Sequence, residues 1–153
     1  MTILEAAQRQ AVISEAESWI GTPFHHQGRV KGRQGGVDCA MLLLEVFLAA
    51  GVVQAEPQAR ALSYSMQWHL HREEERYLKM IEIMGGRPVD TPRDGDIAVW
   101  KMGRAYSHGA IALRWPCIIH AAAAPISACV RDNAHFSALN LARYPVKFFS
   151  AWA

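Results

Sequence analysis

The sequence predicts an α+β fold, in which helices from the first half of the chain pack on an antiparallel sheet formed by the second half. Before Pro92, apolar residues recur at the spacing of helices. Beyond it, short apolar runs alternate with turn residues, as in antiparallel strands. With 153 residues, of which 51% are hydrophobic, the chain can bury a sizeable core. We therefore predict a single domain over residues 1–153.

The first predicted helix begins at Thr2, which forms a capping-box pattern with Glu5 ahead of apolar residues at helical spacing. It ends at the break Gly21-Thr22-Pro23. Residues 24–37 hold four glycines and no sustained period, so they are predicted to form a long loop. A third, amphipathic helix is predicted from Met66 to Met84, closed by Gly85-Gly86.

The second predicted helix runs from about Asp38 to Ala50, ahead of Gly51, and places Cys39 in its first turn. Apolar residues surround this helix almost completely, which predicts a central position in the fold. Because a helix N-terminus carries partial positive charge, we expect it to lower the pKa of Cys39 and favour the thiolate. Cys39 is therefore a candidate nucleophile, the alternative being a buried cysteine of the core.

The second half of the chain contains the predicted strands, separated by turns such as Arg93-Asp94-Gly95, Met102-Gly103 and Ala124-Pro125. Together with the helices before them, these strands predict a central antiparallel sheet covered by helices. The strands are predicted at Asp96 to Trp100, His108 to Arg114, Cys117 to Ala123, Ile126 to Val130 and Tyr144 to Trp152.

Two histidines complete a possible relay with the cysteine. A tight hairpin turning between Arg114 and Pro116 brings His108 and His120 close together. A thiolate needs an imidazole to hold its proton, and that imidazole needs a second polar group to orient it. Cys39, His108 and His120 can fill these three roles in that order.

Several short motifs occur in an order and spacing that resemble the NlpC-type papain-like cysteine peptidases of bacterial cell walls. The resemblance covers about residues 10 to 125. Within that family, the long loop and His26-Gln27-Gly28 are most similar to the phage-tail and gene-transfer-agent branch. The motifs are Gly21-Thr22-Pro23-Phe24, Gly36-Val37-Asp38-Cys39-Ala40, Asp94-Gly95-Asp96-Ile97, Ser107-His108-Gly109-Ala110-Ile111 and Ile119-His120-Ala121.

The resemblance implies a papain-like fold with the catalytic cysteine at the N-terminus of a central helix. It also implies cleavage of peptidoglycan stem peptides, typically between γ-D-glutamate and a diamino acid, through an acyl-enzyme. On this chain it makes Cys39 the nucleophile, His108 the general base and acid, and His120 the orienting residue. No metal or cofactor is implied.

The same resemblance suggests residues that contact the substrate. Asp38 and Ser107 match positions that bind the free amine of the stem peptide in some family members, although Asp38 also suits a helix cap and Ser107 a turn. Where the family usually has a tyrosine whose hydroxyl lies near the oxyanion, this chain has Phe24, followed by His25 and His26. Phe24 and His26 are therefore further candidates for substrate contact, and two exposed loop histidines are the alternative.

Composition limits the partners and the place of action. A net charge of +2, with one dense basic cluster at residues 29–33, does not favour nucleic acid as a partner. No segment approaches the roughly 20 apolar residues of a membrane span, and the first residues do not form a signal peptide. The lack of a signal peptide predicts synthesis in the cytoplasm. The resemblance implies action at the cell wall, with peptidoglycan as substrate and phage tail proteins as candidate partners.

Three functions stay open at this point. The first is a peptidoglycan hydrolase, which requires Cys39 to react beside His108. The second is a catalytically weak or inactive structural protein of a phage tail tip, consistent with the missing tyrosine hydroxyl at Phe24. The third is a zinc protein built from the histidines, although no spacing matches a known site.

Overall fold

A computed structural model describes residues 1–53 and 75–153 of the chain. Three α-helices, one short 3-10 helix (Leu141–Arg143) and eight strands are present among these residues. The helices are α1 (Ile3–Ser18), α2 (Cys39–Ala49) and α3 (Arg76–Ile83), and the strands are β1 (Arg29–Val30), β2 (Gly36–Val37), β3 (Arg87–Val89), β4 (Ile97–Lys101), β5 (Tyr106–Ala112), β6 (Cys117–Ala122), β7 (Ala128–Asn133) and β8 (Val146–Ser150).

The first two helices begin at the predicted caps. The side chain of Thr2 accepts a hydrogen bond from the backbone N–H of Glu5, and that of Asp38 accepts one from Met41. Each cap satisfies an amide that has no partner within its helix. The capping interpretation of Asp38 is thereby confirmed, and the cap places Cys39 at the first position of α2.

The third predicted helix is confirmed over its C-terminal part, where α3 ends before Gly85, which has φ +90°. The predicted start at Met66 lies outside the described residues. Tyr77, Met80 and Ile81 form the buried face of α3.

Six strands form one antiparallel sheet in the order β3-β8-β4-β5-β6-β7. The three helices contribute to a large apolar cluster that includes Ile97, Val99, Ile111 and Ile119 of the sheet. Neighbouring strand positions, such as Ala98, Trp100 and Ala110, belong to a second cluster. Because successive side chains of a strand point to opposite faces, the sheet is covered on both sides. The predicted α+β architecture, with helices packed on a central antiparallel sheet, is confirmed.

Two local predictions were wrong. The segment predicted as a loop contains a short antiparallel hairpin of β1 and β2, which pairs Val30 with Gly36. A Cβ on Gly35 would lie 1.9 Å from the carbonyl oxygen of Val30, so the glycine content that predicted a loop also permits the close turn of this hairpin. The strand predicted at residues 126–130 is displaced to Ala128–Asn133, because Ser127 adopts a positive φ in the preceding turn.

The pairing between β5 and β6 is short, and this feature positions the site. It joins Ile111 to Ile119 and Ala112 to Ile118. In contrast, β4 pairs with β5 from Ile97 to Lys101. The start of β5, with Ser107 and His108, therefore lies beyond the segment paired with β6.

Candidate active site

The Cys39 sulfur lies against the backbone at the start of β5. The thiol donates a hydrogen bond to the carbonyl oxygen of Ser107 over an Sγ···O distance of 3.6 Å. The backbone N–H of Gly109 also acts on the sulfur and lowers the thiol pKa. The nucleophile candidate is thus held between the two residues that flank His108 in the chain.

Burial shifts the Cys39 pKa upward, opposite to the expected shift. Desolvation, followed by the negative charge of Asp38, raises this pKa to about 12, although hydrogen bonds from Gly109, Tyr77 and Ala40 lower it. The expected net lowering of the Cys39 pKa was wrong: the amide of Ala40 in the first turn of α2 does lower it, but burial outweighs that effect. The free energy lost on removing the thiolate from water is larger here than the free energy gained from its hydrogen bonds to the amides and the hydroxyl.

The predicted histidine pair is present as a hydrogen bond. Nε2 of His108 lies 2.8 Å from Nδ1 of His120, and the two rings meet nearly edge to face at 76°. Both side chains are buried, His120 completely. Burial lowers the pKa of both residues, so the neutral imidazole is favoured at each position.

Asp132 extends this pair on β7. Its Oδ2 lies 2.9 Å from Nε2 of His120, and its Oδ1 accepts the backbone N–H of Asn133. The sequence interpretation missed Asp132. Asp132 can be linked to His120 only once the register of β6 and β7 is known. Asp132 pairs with Ile118, which is two residues before His120, so it lies diagonal to His120 on the same face of the sheet.

Tyr77 of α3 is a second residue that the sequence interpretation missed. It is completely buried, and burial followed by the charges of Cys39 and Asp38 raises its pKa well above the usual value. Its hydroxyl acts on the Cys39 sulfur as a hydrogen-bond donor that lowers the thiol pKa. The helical pattern of the segment indicated a core position for Tyr77, and nothing in it indicated a place beside the cysteine.

The predicted substrate contacts occupy different positions. Asp38 is buried, and its two carboxylate oxygens accept backbone N–H groups, Oδ1 from Met41 at 2.9 Å and Oδ2 from Gln27 at 2.6 Å. Nδ1 of His26 lies 3.8 Å from the same Oδ2. Burial raises the Asp38 pKa, against the lowering effect of these amides and of His26.

Ser107 contacts the site through its carbonyl oxygen, as described above. Phe24 is partly buried against the main apolar cluster and forms an isolated bridge with Val37. The structure thus brings Cys39, Ser107, His108 and His120 to one region. Asp38 and His26 lie beside it at the N-terminus of α2. The roles predicted for these residues stay predictions.

The described residues do not group the ligands that a metal centre would need. Across residues 1–53 and 75–153, no three His, Cys, Asp or Glu side chains are grouped as ligands for a metal ion. No helix in the same ranges has the length and apolar character to span a membrane. All three cysteines are free thiols.

Solved structures share this fold. The NlpC/p60 domain of the peptidoglycan hydrolase SagA superposes with a TM-score of 0.57 at 21% identity, over 91% of this chain and 96% of that domain. NlpC2 from Trichomonas vaginalis gives a TM-score of 0.59 at 12% identity, over 94% of this chain. An NlpC/P60 family protein from Bacillus cereus gives 0.57 at 15% identity, over 91% of this chain.

These matches define the class of fold, which is the papain-like fold of NlpC/p60 domains. The chain spans nearly all of the SagA domain, but only 45% of the Trichomonas protein and 39% of the Bacillus protein. Comparison of the sequence with protein-family models gives no match, and comparison with curated proteins gives none either.

Proposed function

We propose that this chain is a cysteine peptidase that hydrolyses stem peptides of peptidoglycan, with Cys39 as nucleophile. The observation that carries the proposal is the placement of the Cys39 thiol at the start of β5, between the residues that flank His108, which in turn contacts His120. The fold shared with the NlpC/p60 domain of a peptidoglycan hydrolase supports the substrate class. The sequence resemblance supports the bond between γ-D-glutamate and a diamino acid.

The reaction begins with proton transfer. His108 accepts the proton of the Cys39 thiol as the sulfur attacks the carbonyl carbon of the peptide. Because the Cys39 pKa is raised and the His108 pKa is lowered, the resting pair is neutral, and the proton moves during the attack rather than before it. The negative charge on the carbonyl oxygen is stabilised by the N–H of Cys39 at the start of α2, a kind of contact worth about 3 kcal/mol.

The remaining steps return the enzyme to its starting state. His108 gives its proton to the leaving amine as the C–N bond breaks, which leaves a thioester on Cys39. Water then attacks the thioester carbon and loses a proton to His108. The C–S bond breaks, the acid departs, and the proton returns to the sulfur.

The test is digestion of purified peptidoglycan, followed by mass spectrometry of the released fragments. We expect fragments with a new amino terminus at the diamino acid, and none from a Cys39→Ser variant. The matched control is Cys117→Ser, which changes an exposed cysteine at the start of β6 and should digest like the wild type. Intact peptidoglycan after incubation with folded wild-type protein would contradict the proposal.

A second candidate function is a structural or binding role that keeps the fold, as in a component of a phage tail tip. The raised pKa of the Cys39 thiol is the observation that favours it, because a thiol that resists ionisation suits a site without catalysis. Cosedimentation with insoluble peptidoglycan separates the two functions. Binding without release of fragments supports the second candidate, and its tail location is then tested by copurification with tail proteins.

A further inference from the structure

A chain of hydrogen bonds leads from His108 to the edge of the sheet. Nε2 of His108 contacts Nδ1 of His120 at 2.8 Å, and Nε2 of His120 contacts Oδ2 of Asp132 at 2.9 Å. The three residues lie on the consecutive strands β5, β6 and β7. His120 has no solvent exposure, whereas the Asp132 side chain is 19% exposed. Both ring nitrogens of His120 are therefore committed to protein partners.

The carboxylate determines which nitrogen of each histidine carries a hydrogen. An ionised carboxylate only accepts hydrogen bonds, so Nε2 of His120 must be the N–H that donates to Asp132. A neutral His120 then has a bare Nδ1, which accepts from Nε2–H of His108. A neutral His108 with its hydrogen on Nε2 has a bare Nδ1, and this atom alone can accept a proton.

We propose that Asp132 is a positioning residue of the active site, which sets the tautomers of His120 and His108 so that Nδ1 of His108 is the base. The proposal rests on the proposed role of His108 as the acceptor of the Cys39 proton. Without the carboxylate, His120 can place its hydrogen on Nδ1 and donate to Nε2 of His108. The hydrogen of neutral His108 then lies on Nδ1, and His108 cannot accept a proton there.

The electrostatics of the pair agree with this role. Burial lowers the pKa of His120, but the hydrogen bond and the charge of Asp132 raise it. Once His108 has taken the thiol proton, the same negative charge lies two hydrogen bonds away from the imidazolium. Asp132 therefore favours the charged intermediate without contacting the substrate or the sulfur.

The test compares Asp132→Asn with the wild type by ¹⁵N NMR of histidine-labelled protein and by peptidoglycan hydrolysis. In the wild type we expect both His108 and His120 as the tautomer with the hydrogen on Nε2. In the variant, the amide can donate to Nε2 of His120, so we expect the hydrogen of His120 to move to Nδ1. We expect kcat to fall by about 10- to 100-fold with little change in KM, since only proton transfer is impaired.

Two further variants keep the test decisive. Asp132→Glu retains an accepting carboxylate and should restore the wild-type tautomers at least in part. Asp90→Asn removes an exposed carboxylate just beyond β3 and should match the wild type in both measurements. A thermal melt of each variant confirms that the comparison is made on folded protein.

The outcomes separate this inference from the proposed function. Unchanged tautomers and unchanged kcat in Asp132→Asn overturn the inference while the peptidase function stands. If the wild type does not digest peptidoglycan, the proposed function fails, and the NMR spectra still decide whether Asp132 sets the tautomers. A loss of kcat with wild-type tautomers also overturns the inference, because the effect of Asp132 would then not pass through the histidines.

Discussion

The hydroxyl of Tyr77 occupies the space that a side chain on Gly109 would need. A Cβ at position 109 would lie 2.2 Å from the hydroxyl oxygen and 2.8 Å from the ring carbon that bears it. Gly109 follows His108 directly, and its N–H acts on the Cys39 sulfur. The absence of a side chain at position 109 therefore allows α3 to bring its tyrosine to the nucleophile candidate.

A Gly109→Ala variant should unfold more easily, because the new methyl group overlaps Tyr77 in a packed core. We expect a loss of about 1–3 kcal/mol in the free energy of unfolding, measured by urea denaturation. The matched test is the double variant with Tyr77→Phe, which removes the nearest atom and should recover part of the loss. If the two substitutions change the free energy of unfolding by strictly additive amounts, the hydroxyl and the methyl group are not in contact.

A Tyr77→Phe variant should react more slowly with iodoacetamide at Cys39. The hydroxyl lowers the thiol pKa, so its loss reduces the thiolate fraction at a given pH. A hydrogen bond to a charged group is worth about 1.5–3 kcal/mol, which predicts a rate at least about tenfold lower. The rates are measured in a Cys117→Ala, Cys129→Ala background so that only Cys39 is labelled. Tyr144→Phe, in the second apolar cluster, is the control, and equal rates for both variants would refute the contact.

An Asp38→Asn variant should react faster with iodoacetamide in the same cysteine background. The charge of Asp38 raises the Cys39 pKa, so its removal favours the thiolate. The variant should also lose about 1 kcal/mol of stability, because one amide oxygen cannot serve both Met41 and Gln27 as the two carboxylate oxygens do. Asp90→Asn serves as the control, and a slower rate in Asp38→Asn contradicts the electrostatic effect.

The stability of the fold should decrease on acidification from about pH 6.5 downward. Burial lowers the pKa of His108 and His120 below the ordinary histidine value of 6.5, so below that pH the unfolded chain binds protons that the folded chain does not. Their contribution is fully present above pH 6.5 and is lost as the pH falls toward their folded pKa values. Thermal melts between about pH 7 and pH 5 measure this loss.

A His108→Asn variant is the comparison for the pH dependence. It keeps a hydrogen-bonding side chain at position 108 but removes one titrating group. Its melting temperature should fall less than that of the wild type over the same pH range. An equal or steeper fall would show that His108 is not the source of the effect.

The helices were predictable because their signals are local. Thr2 and Asp38 occupy caps, and each satisfies the amide three positions further along the chain. The apolar content of α2 determines its central position in the same way, since apolar residues occupy nearly every face of that helix and favour its burial. The boundaries of the strands were predicted less exactly, because the hydrogen bonds between strands continue through polar residues at the edge of a sheet. β7 accordingly extends to Asn133, beyond the apolar run.

Local signals in the sequence place Cys39 at a helix start and bring His108 close to His120, because capping and hairpin register depend on residues close in the chain. The charges of these groups, and the side chains that support them, depend instead on how distant parts of the chain pack together. The Cys39 pKa follows from packing by Tyr77 and burial beside Asp38, and the His120 pKa from burial beside Asp132. The desolvation energy of a group depends on all the atoms packed around it, most of which come from distant parts of the chain. It cannot be predicted from a local pattern of residues.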